Sequence, residues 1–325
     1  MTIRSMGALA ALGVMLATAG VQAAETKSVA ISTIVEVPQL VETKDGVLAG
    51  LEERGYKVGE NLSVDYQNAN GNMPTQQQIA RKFAGARPDV IVAITTPTAQ
   101  AMASGTSGIP IVFATVTDPL KARLIESFEK PGGNITGVSD ESPLASQLDF
   151  FREIVPDMKT IGFVYNPGLD NSVSTLEKFR KLAAERGIEV VEAPAPTTNE
   201  VLIAARGLIG NVDAIYVPND TTVVAALESV VKIGEDTDTP VFSGETRGVE
   251  RGAIASIGLD YIEVGRAAGH MVADVLEGKA PADIPAVVAY ERLPNFKVAV
   301  NRNSAEAMGV TLPDAVLSRA TQVVE

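Results

Sequence analysis

Residues 89–119 read DVIVAITTPTAQAMASGTSGIPIVFATVTDP and contain the pattern that decides the fold. Two short runs, 89–95 and 109–115, are rich in Val, Ile and Ala, as strands buried on both faces of a sheet are. Each run ends in threonine and leads into a segment headed by a proline, Pro97 or Pro119. Buried strands that lead directly into helix starts are typical of a parallel α/β sheet.

Outward from this segment, the alternation of apolar strand and helical spacing continues in both directions. A dense turn signal at 129–134, EKPGGN, separates two such sets, and a new helix opens at Ser142-Pro143. The sequence therefore predicts an α/β protein of two lobes, each a doubly wound parallel sheet, with a hinge between them. Strands are predicted at 29–35, 62–66, 89–95, 109–115 and 135–138, and then at 160–165, 189–192, 214–217, 240–242 and 253–258.

No flexible linker separates the two sets, so short crossings near 139–142, 257–260 and 280–284 are expected to join them. Lobe 1 would contain residues 24–140 plus about 259–281, and lobe 2 residues 141–258 plus about 282–325. Lobes joined in this way form a cleft whose walls close about a hinge.

The amino-terminal residues 1–23 have the pattern of an export signal. Arg4 precedes an uncharged apolar run at 6–21, and Val21-Gln22-Ala23 places small residues before a cleavage point. The run is shorter than the roughly 20 residues that span a bilayer. We expect cleavage after Ala23, and since the sequence has no cysteine, the mature chain would be unlipidated and periplasmic.

The composition excludes several classes of function. The 325-residue chain has no cysteine, one histidine (His270) and a formal net charge of −13. Thiolate chemistry and imidazole-rich metal sites are therefore absent, and the negative field opposes binding to nucleic acid or anionic lipid. The sequence also lacks a dinucleotide-binding, P-loop or nucleophile-elbow motif. We expect no cofactor, no metal and no catalytic residues.

Candidate binding residues follow from the rule that ligands bind at the carboxyl ends of strands in open parallel sheets. Some of these residues would serve equally well as helix N-caps without a ligand, Thr96, Asp118 and Asp220 among them. Their convergence from both lobes on one cleft favours a ligand site. The candidates are Glu36, Thr95, Thr96, Asp118, Asn166, Asn171, Ser172, Asn219, Asp220 and Glu245.

The chemistry of these candidates suggests a zwitterion. Helix amino termini and threonine hydroxyls suit a carboxylate, whereas Asp220, Glu245 or Asp118 would suit an ammonium group. An amino acid satisfies both. A sugar or nucleoside is the alternative, and it would require stacking on a ring such as Tyr165 or Tyr216, in a chain without tryptophan.

Six phrases along the chain carry a resemblance to a known family: AITTPTAQ (93–100), PIVFATVTDP (110–119), KPGGNITGVSD (130–140), GFVYNP (162–167), YVPND (216–220) and RGA (251–253). With them, the chain from Val29 to about Leu312 resembles the periplasmic substrate-binding proteins of ABC importers, in the family associated with tryptophan and tyrosine uptake. The resemblance implies a type I periplasmic binding protein fold that closes over one small molecule and docks on a membrane permease. It places cleft residues at most of the positions named above. One departure is Val37, where the family more often has histidine.

The resemblance and the residues together predict a monomeric amino-acid-binding protein, with an aromatic or branched ligand, that delivers its ligand to an ABC permease. A subunit of a different class, which presents its closed form to a membrane receptor as a sensor, would have the same sequence features.

Overall fold

The computed structural model describes residues 26–292 and 296–325. The predicted export signal at 1–23 lies outside these residues. None of the helices in the described part of the chain is both long and apolar enough to cross a membrane.

In the described residues thirteen strands form two separate sheets, which confirms the predicted two-lobe α/β class. The first sheet has the order β11-β5-β4-β3-β1-β2, and the second has the order β13-β12-β10-β9-β8-β6-β7. The strands are β1 Lys27–Thr33, β2 Leu62–Asn68, β3 Val90–Ile94, β4 Ile111–Ala114, β5 Ile135–Ser139, β6 Thr160–Tyr165, β7 Glu189–Pro194, β8 Ala214–Val217, β9 Val241–Ser243, β10 Ala255–Gly258, β11 Val287–Val288, β12 Lys297–Asn301 and β13 Gln322–Val324.

Helices cover both sheets, as the alternating pattern predicts. They are α1 Pro38–Glu53, α2 Met73–Ala86, α3 Thr96–Gly105, α4 Leu144–Ile154, α5 Asp170–Ala184, α6 Val201–Arg206, α7 Thr221–Val224, α8 Leu227–Asp236, α9 Arg247–Glu250, α10 Tyr261–Leu276, α11 Ala289–Arg292, α12 Arg302–Ala307 and α13 Asp314–Arg319.

All pairings in the first sheet are parallel. In the second sheet β12 pairs antiparallel with β10, so that sheet is mixed rather than fully parallel. The sequence predicted no strand after residue 258, so neither β12 nor its reversed direction was expected.

The chain crosses between the sheets three times. The first crossing follows β5, and the second joins β10 to α10. The third follows β11, which pairs with β5 in the first sheet. It therefore lies later than the expected 280–284, because the two-residue strand Val287–Val288 is too short to leave a sequence pattern.

The core of the second lobe is a cluster of aromatic rings. Phe151 stacks on Phe242, and Phe179 stacks on Tyr216 at a centroid distance of 4.8 Å. Tyr216 is fully buried, and its hydroxyl donates to Gln147. Tyr216 is therefore a core residue rather than a stacking surface for a ligand.

In the first lobe, α1 and α10 are in unusually close contact. A Cβ on Gly265 would overlap the carbonyl oxygen of Thr43, and one on Gly46 would overlap that of Ile262. Only glycine allows the two backbones to approach in this way. The contact fixes the amino-terminal turns of both helices, which carry Gln39 and Tyr261, at the cleft.

Polar contacts between the lobes hold the cleft closed. Gln100 Nε2 on α3 donates to Asp170 Oδ2 on α5 at 2.7 Å. Lys121 pairs with Glu177, and Arg247 on α9 pairs with Glu42 on α1. These contacts surround the cleft on more than one side, so the structure is that of the closed form.

Candidate ligand-binding site between the lobes

A small cavity of about 20 Å³ lies where the two lobes meet, at the carboxyl ends of the strands. Its position is the one predicted for an open parallel sheet. Gln39, Leu40, Thr95, Thr96, Pro97, Thr115, Thr117, Asp140 and Tyr261 line it from the first lobe, and Asn171, Asn219, Asp220, Thr221 and Val224 from the second.

The wall on the side of the first lobe is strained. Thr95 follows β3 with φ 85° and Thr115 follows β4 with φ 53°, and both are buried. A β-branched residue rarely adopts a positive φ, and such strain concentrates at binding and catalytic sites. The strained turn at Thr95 leads directly into α3, whose first backbone N–H groups have no acceptor within the helix. An anion at this helix start would meet both these donors and the positive end of the helix dipole.

Four buried side-chain atoms at the cavity lack a hydrogen-bond partner. They are Gln39 Oε1, Thr96 Oγ1, Asn171 Oδ1 and Asn219 Oδ1. Buried polar atoms are nearly always paired, and an unpaired one costs about 1–3 kcal/mol. Since these atoms come from both lobes and face the same space, a polar ligand between the lobes would satisfy them together.

Asp140 is the carboxylate with the most capacity to accept further hydrogen bonds in the cavity. Its Oδ1 accepts from Thr117 Oγ1 at 3.0 Å, and its Oδ2 accepts from the Tyr261 hydroxyl at 3.4 Å. Burial raises the pKa of Asp140 to about 6, and the hydrogen bonds from Thr117 and Tyr261 oppose this rise. Asn219 Nδ2 in turn donates to the Tyr261 hydroxyl at 2.9 Å, so a hydrogen-bonded chain leads from the second lobe to Asp140.

Asp220 also lines the cavity, but its oxygens are occupied by the chain itself. Oδ2 accepts from the Asn166 backbone at 2.6 Å and from Ser172 Oγ at 2.7 Å. Oδ1 accepts from the backbone of Thr222 and Val223, which makes Asp220 the N-cap of α7. Burial raises the pKa of Asp220, and these four donors oppose the rise.

Half of the sequence-predicted residues lie on the cavity wall: Thr95, Thr96, Asn171, Asn219 and Asp220. Ser172 and Asn166 lie behind it and support Asp220. Asp118 lies at the rim, where it accepts from Ser174 and pairs with Lys178 across the cleft. Its part in the structure is therefore to join the lobes.

Glu36 and Glu245 are not on the cavity wall. Glu36 is exposed and accepts from Asn68. Glu245 is 1% exposed and neither of its carboxylate oxygens has a partner. Burial raises its pKa to about 7, with the backbone N–H groups of α9 and the charge of Arg251 opposing.

Sequence reasoning missed Gln39, Thr115, Thr117, Asp140 and Tyr261. Asp140 directly follows β5, so the same strand-end rule could have found it. Gln39 and Tyr261 lie in the first turns of α1 and α10 and had no such signal. Val37, the position of the departure expected from the resemblance, is buried in the core and does not line the cavity, whereas Gln39 does.

Within the described ranges, no group of three or more acidic or histidine side chains is arranged to hold a metal ion.

Residues 28–324 match the family described as ABC transporter substrate binding protein. The chain belongs to this family. Its members are the extracytoplasmic binding components of importers, and binding rather than catalysis is their general role.

A curated relative in this family is a tyrosine-binding protein of Clostridioides difficile (strain R20291). It is 38% identical over 282 residues, which cover 87% of this chain and 81% of the relative.

Two solved structures of relatives differ in whether a ligand is bound. The ABC domain in complex with L-Trp from Streptococcus pneumonia has a TM-score of 0.87 at 34% identity, covering 92% of this chain and all of that one. A ligand-free, open substrate-binding protein with adhesive properties from Clostridium difficile has a TM-score of 0.70 at 36% identity, covering 92% and 99%. This chain is therefore more similar in structure to the L-Trp complex than to the ligand-free, open relative, at nearly equal identity.

Proposed function

We propose that this protein binds an aromatic amino acid in the interlobe cavity and delivers it to the permease of an ABC importer. The observation that carries the proposal is the closed cavity whose unpartnered polar atoms come from both lobes. The tyrosine-binding relative and the relative solved with L-Trp support the choice of ligand.

The polar groups of the cavity suit the two charged ends of an amino acid. The free N–H groups at the start of α3 and the Thr96 hydroxyl suit the carboxylate. The amide oxygens of Asn171 and Asn219, together with a buried carboxylate, suit the N–H groups of the ammonium.

The remaining wall suits an apolar side chain. Leu40, Pro97 and Val224 are apolar, and Tyr261 contributes a ring that is 3% exposed. Tyr261 is the one aromatic residue on the wall within the described chain, so the rings on which a sugar or nucleoside would stack are few. This favours the amino acid over the sugar alternative.

Delivery requires that ligand binding and lobe closure be coupled. A ligand that contacts both lobes only in the closed form shifts the equilibrium toward that form. The permease would recognise the closed arrangement of the two rims. The mature protein would begin at Ala24, free of lipid, act as a monomer and leave its ligand chemically unchanged. A receptor-coupled sensor remains the alternative partner assignment.

The experiment is isothermal titration calorimetry of the mature chain, purified through unfolding and refolding to remove endogenous ligand. The panel contains L-tyrosine, L-tryptophan, L-phenylalanine, L-leucine, glucose and adenosine. We expect an aromatic amino acid to bind most tightly, with L-leucine weaker and the other two inactive. Binding of glucose or adenosine alone would contradict the proposal. Capture of membrane proteins by the liganded chain then separates a permease from a receptor.

A further inference from the structure

We infer that Asp140, rather than Asp220, is the carboxylate that receives the ammonium group of the ligand. The inference rests on the proposed function and assigns the residue that selects for an amine.

Asp140 and Asp220 differ in how many further hydrogen bonds each carboxylate can accept. An ionised carboxylate has about four lone-pair positions for hydrogen bonds. At Asp220 four donors from the chain already occupy them: the backbone of Asn166, Thr222 and Val223, and the hydroxyl of Ser172. At Asp140 the Thr117 hydroxyl donates at 3.0 Å and the Tyr261 hydroxyl at a long 3.4 Å, while its own backbone N–H and the Asn219 amide also favour the ionised form. Its weaker contacts leave Asp140 more room than Asp220 for further N–H donors.

The negative charge of Asp140 also favours the assignment. Asp140 is 5% exposed, and within the described residues it forms hydrogen bonds with Thr117 and Tyr261 but no ion pair with a Lys or Arg. The groups that face it are the Thr117 hydroxyl, the Tyr261 phenol and the Asn219 amide. A buried carboxylate without a cation is unfavourable unless it is protonated or paired. The ammonium of a ligand would provide the missing positive charge.

The position of Asp140 in the cavity favours the assignment as well. Asp140 begins the first crossing, directly after β5, and it lies on the same cavity as the start of α3. The chain of hydrogen bonds from Asn219 through Tyr261 reaches it from the second lobe. Asn219 Oδ1 remains unpartnered beside this chain. An ammonium held by Asp140 could therefore also donate to Asn219, which would bring the second lobe onto the ligand.

The test compares two ligands on three proteins. The ligands are L-tyrosine and its analogue without the amine, 3-(4-hydroxyphenyl)propionate, or the corresponding L-tryptophan pair if wild type prefers it. The proteins are wild type, Asp140→Asn and the control Asp118→Asn, which alters a rim contact between the lobes. Calorimetry gives the affinity of each pair.

We expect Asp140→Asn to weaken L-tyrosine by about 10- to 100-fold, the range of a hydrogen bond to a charged group. The analogue should be unaffected or bind better to this variant, because it brings a carboxylate but no cation. Asp118→Asn should weaken both ligands by the same factor, since it acts on closure. Equal losses for both ligands in Asp140→Asn, or no loss for L-tyrosine, would overturn the assignment.

If Asp140→Asn does not fold, the wild-type protein still decides the matter. Protonation of Asp140 below about pH 6 should weaken L-tyrosine and not the analogue. The nearby carboxyl of Glu245 acts on Tyr261 whichever of the two ligands is bound. Its titration therefore changes both affinities equally and cancels when they are compared. Parallel pH profiles for the two ligands would overturn the assignment. Failure of every amino acid to bind wild type would instead refute the proposed function.

Discussion

Arg247 Nε donates a hydrogen bond of 2.8 Å to Glu42 Oε1, and the two residues belong to different lobes. Arg247 lies on α9 of the second lobe, and Glu42 lies on α1, two residues beyond the cavity residue Leu40. The side chains are 32% and 19% exposed, so solvent partly screens the pair.

Removal of this pair should weaken ligand binding, although neither residue contacts the ligand. We expect Arg247→Gln to reduce the affinity for the amino acid about two- to five-fold, which corresponds to about 0.5–1 kcal/mol for a partly exposed pair. Small-angle scattering of the ligand-free variant should show a larger open fraction. The control Lys232→Gln breaks an exposed pair within α8 and should change neither quantity. An unchanged affinity in Arg247→Gln would show that the pair does not contribute to closure.

The unpartnered hydroxyl of Thr96 gives a second prediction. Thr96→Val removes a buried hydroxyl at nearly constant shape, so the ligand-free protein should be as stable as wild type or slightly more stable. Ligand affinity should fall by about 0.5–1.5 kcal/mol, because the ligand loses one hydrogen bond. Calorimetry and thermal unfolding measure the two effects.

Ser256 offers a matched control for Thr96. Its hydroxyl is also buried and unpartnered, but it lies on β10 and not on the cavity wall. Ser256→Ala should leave ligand affinity unchanged. If Thr96→Val and Ser256→Ala behave alike, Thr96 does not contact the ligand.

The close packing of α1 on α10 predicts a structural dependence of the site. Gly265→Ala would place a methyl group against the Thr43 backbone, which cannot move independently of α1. We expect destabilisation of about 1–3 kcal/mol, together with weaker ligand binding because Gln39 and Tyr261 shift. Gly85→Ala, in α2 with open space around it, should be neutral or stabilising by up to about 1 kcal/mol. Urea unfolding compares the two, and wild-type stability in Gly265→Ala would disprove the tight contact.

Glu245 predicts a pH dependence of stability. Its pKa is raised from 4.5 to about 7 in the folded protein, so folding favours the protonated form. Its contribution to stability is therefore intact below about pH 4.5, falls as the pH rises to about 7 and is constant above that. Glu245→Gln removes this loss.

We compare the free energy of unfolding of Glu245→Gln with that of wild type. The difference in favour of the variant should be roughly 3 kcal/mol larger at pH 8 than at pH 4.5. Denaturant unfolding at both pH values measures the gain. Glu306→Gln changes an exposed carboxylate and should have the same small effect at both. A gain in Glu245→Gln that does not vary with pH would mean that the folded protein holds Glu245 ionised.

The sequence predicted ten of the thirteen strands in the described residues, because buried parallel strands are continuous apolar runs, but it did not predict β11, β12 and β13. Half of the candidate site residues that it predicted lie on the cavity wall, because the strand-end rule depends only on local order. The rule failed for Glu36, since the loop after β1 turns that side chain to solvent while Val37 enters the core.

The remaining errors concern contacts between distant parts of the chain. Asp118 and Asp220 are both acidic residues after a strand, but Lys178 and Ser174 engage the first, and Asn166 and Ser172 saturate the second. No local pattern shows which carboxylate is already occupied. Gln39 and Tyr261 reach the cavity because α1 and α10 pack closely, which depends on glycines more than 200 residues apart.

The most direct measurement is a crystal structure of the mature protein with its bound amino acid. We expect the ligand in the cavity between the lobes, with its carboxylate at the start of α3 beside Thr96 and its ammonium on Asp140 and Asn219. A ligand outside the cavity, or one inside it with the carboxylate toward Asp140, would contradict the proposed binding mode.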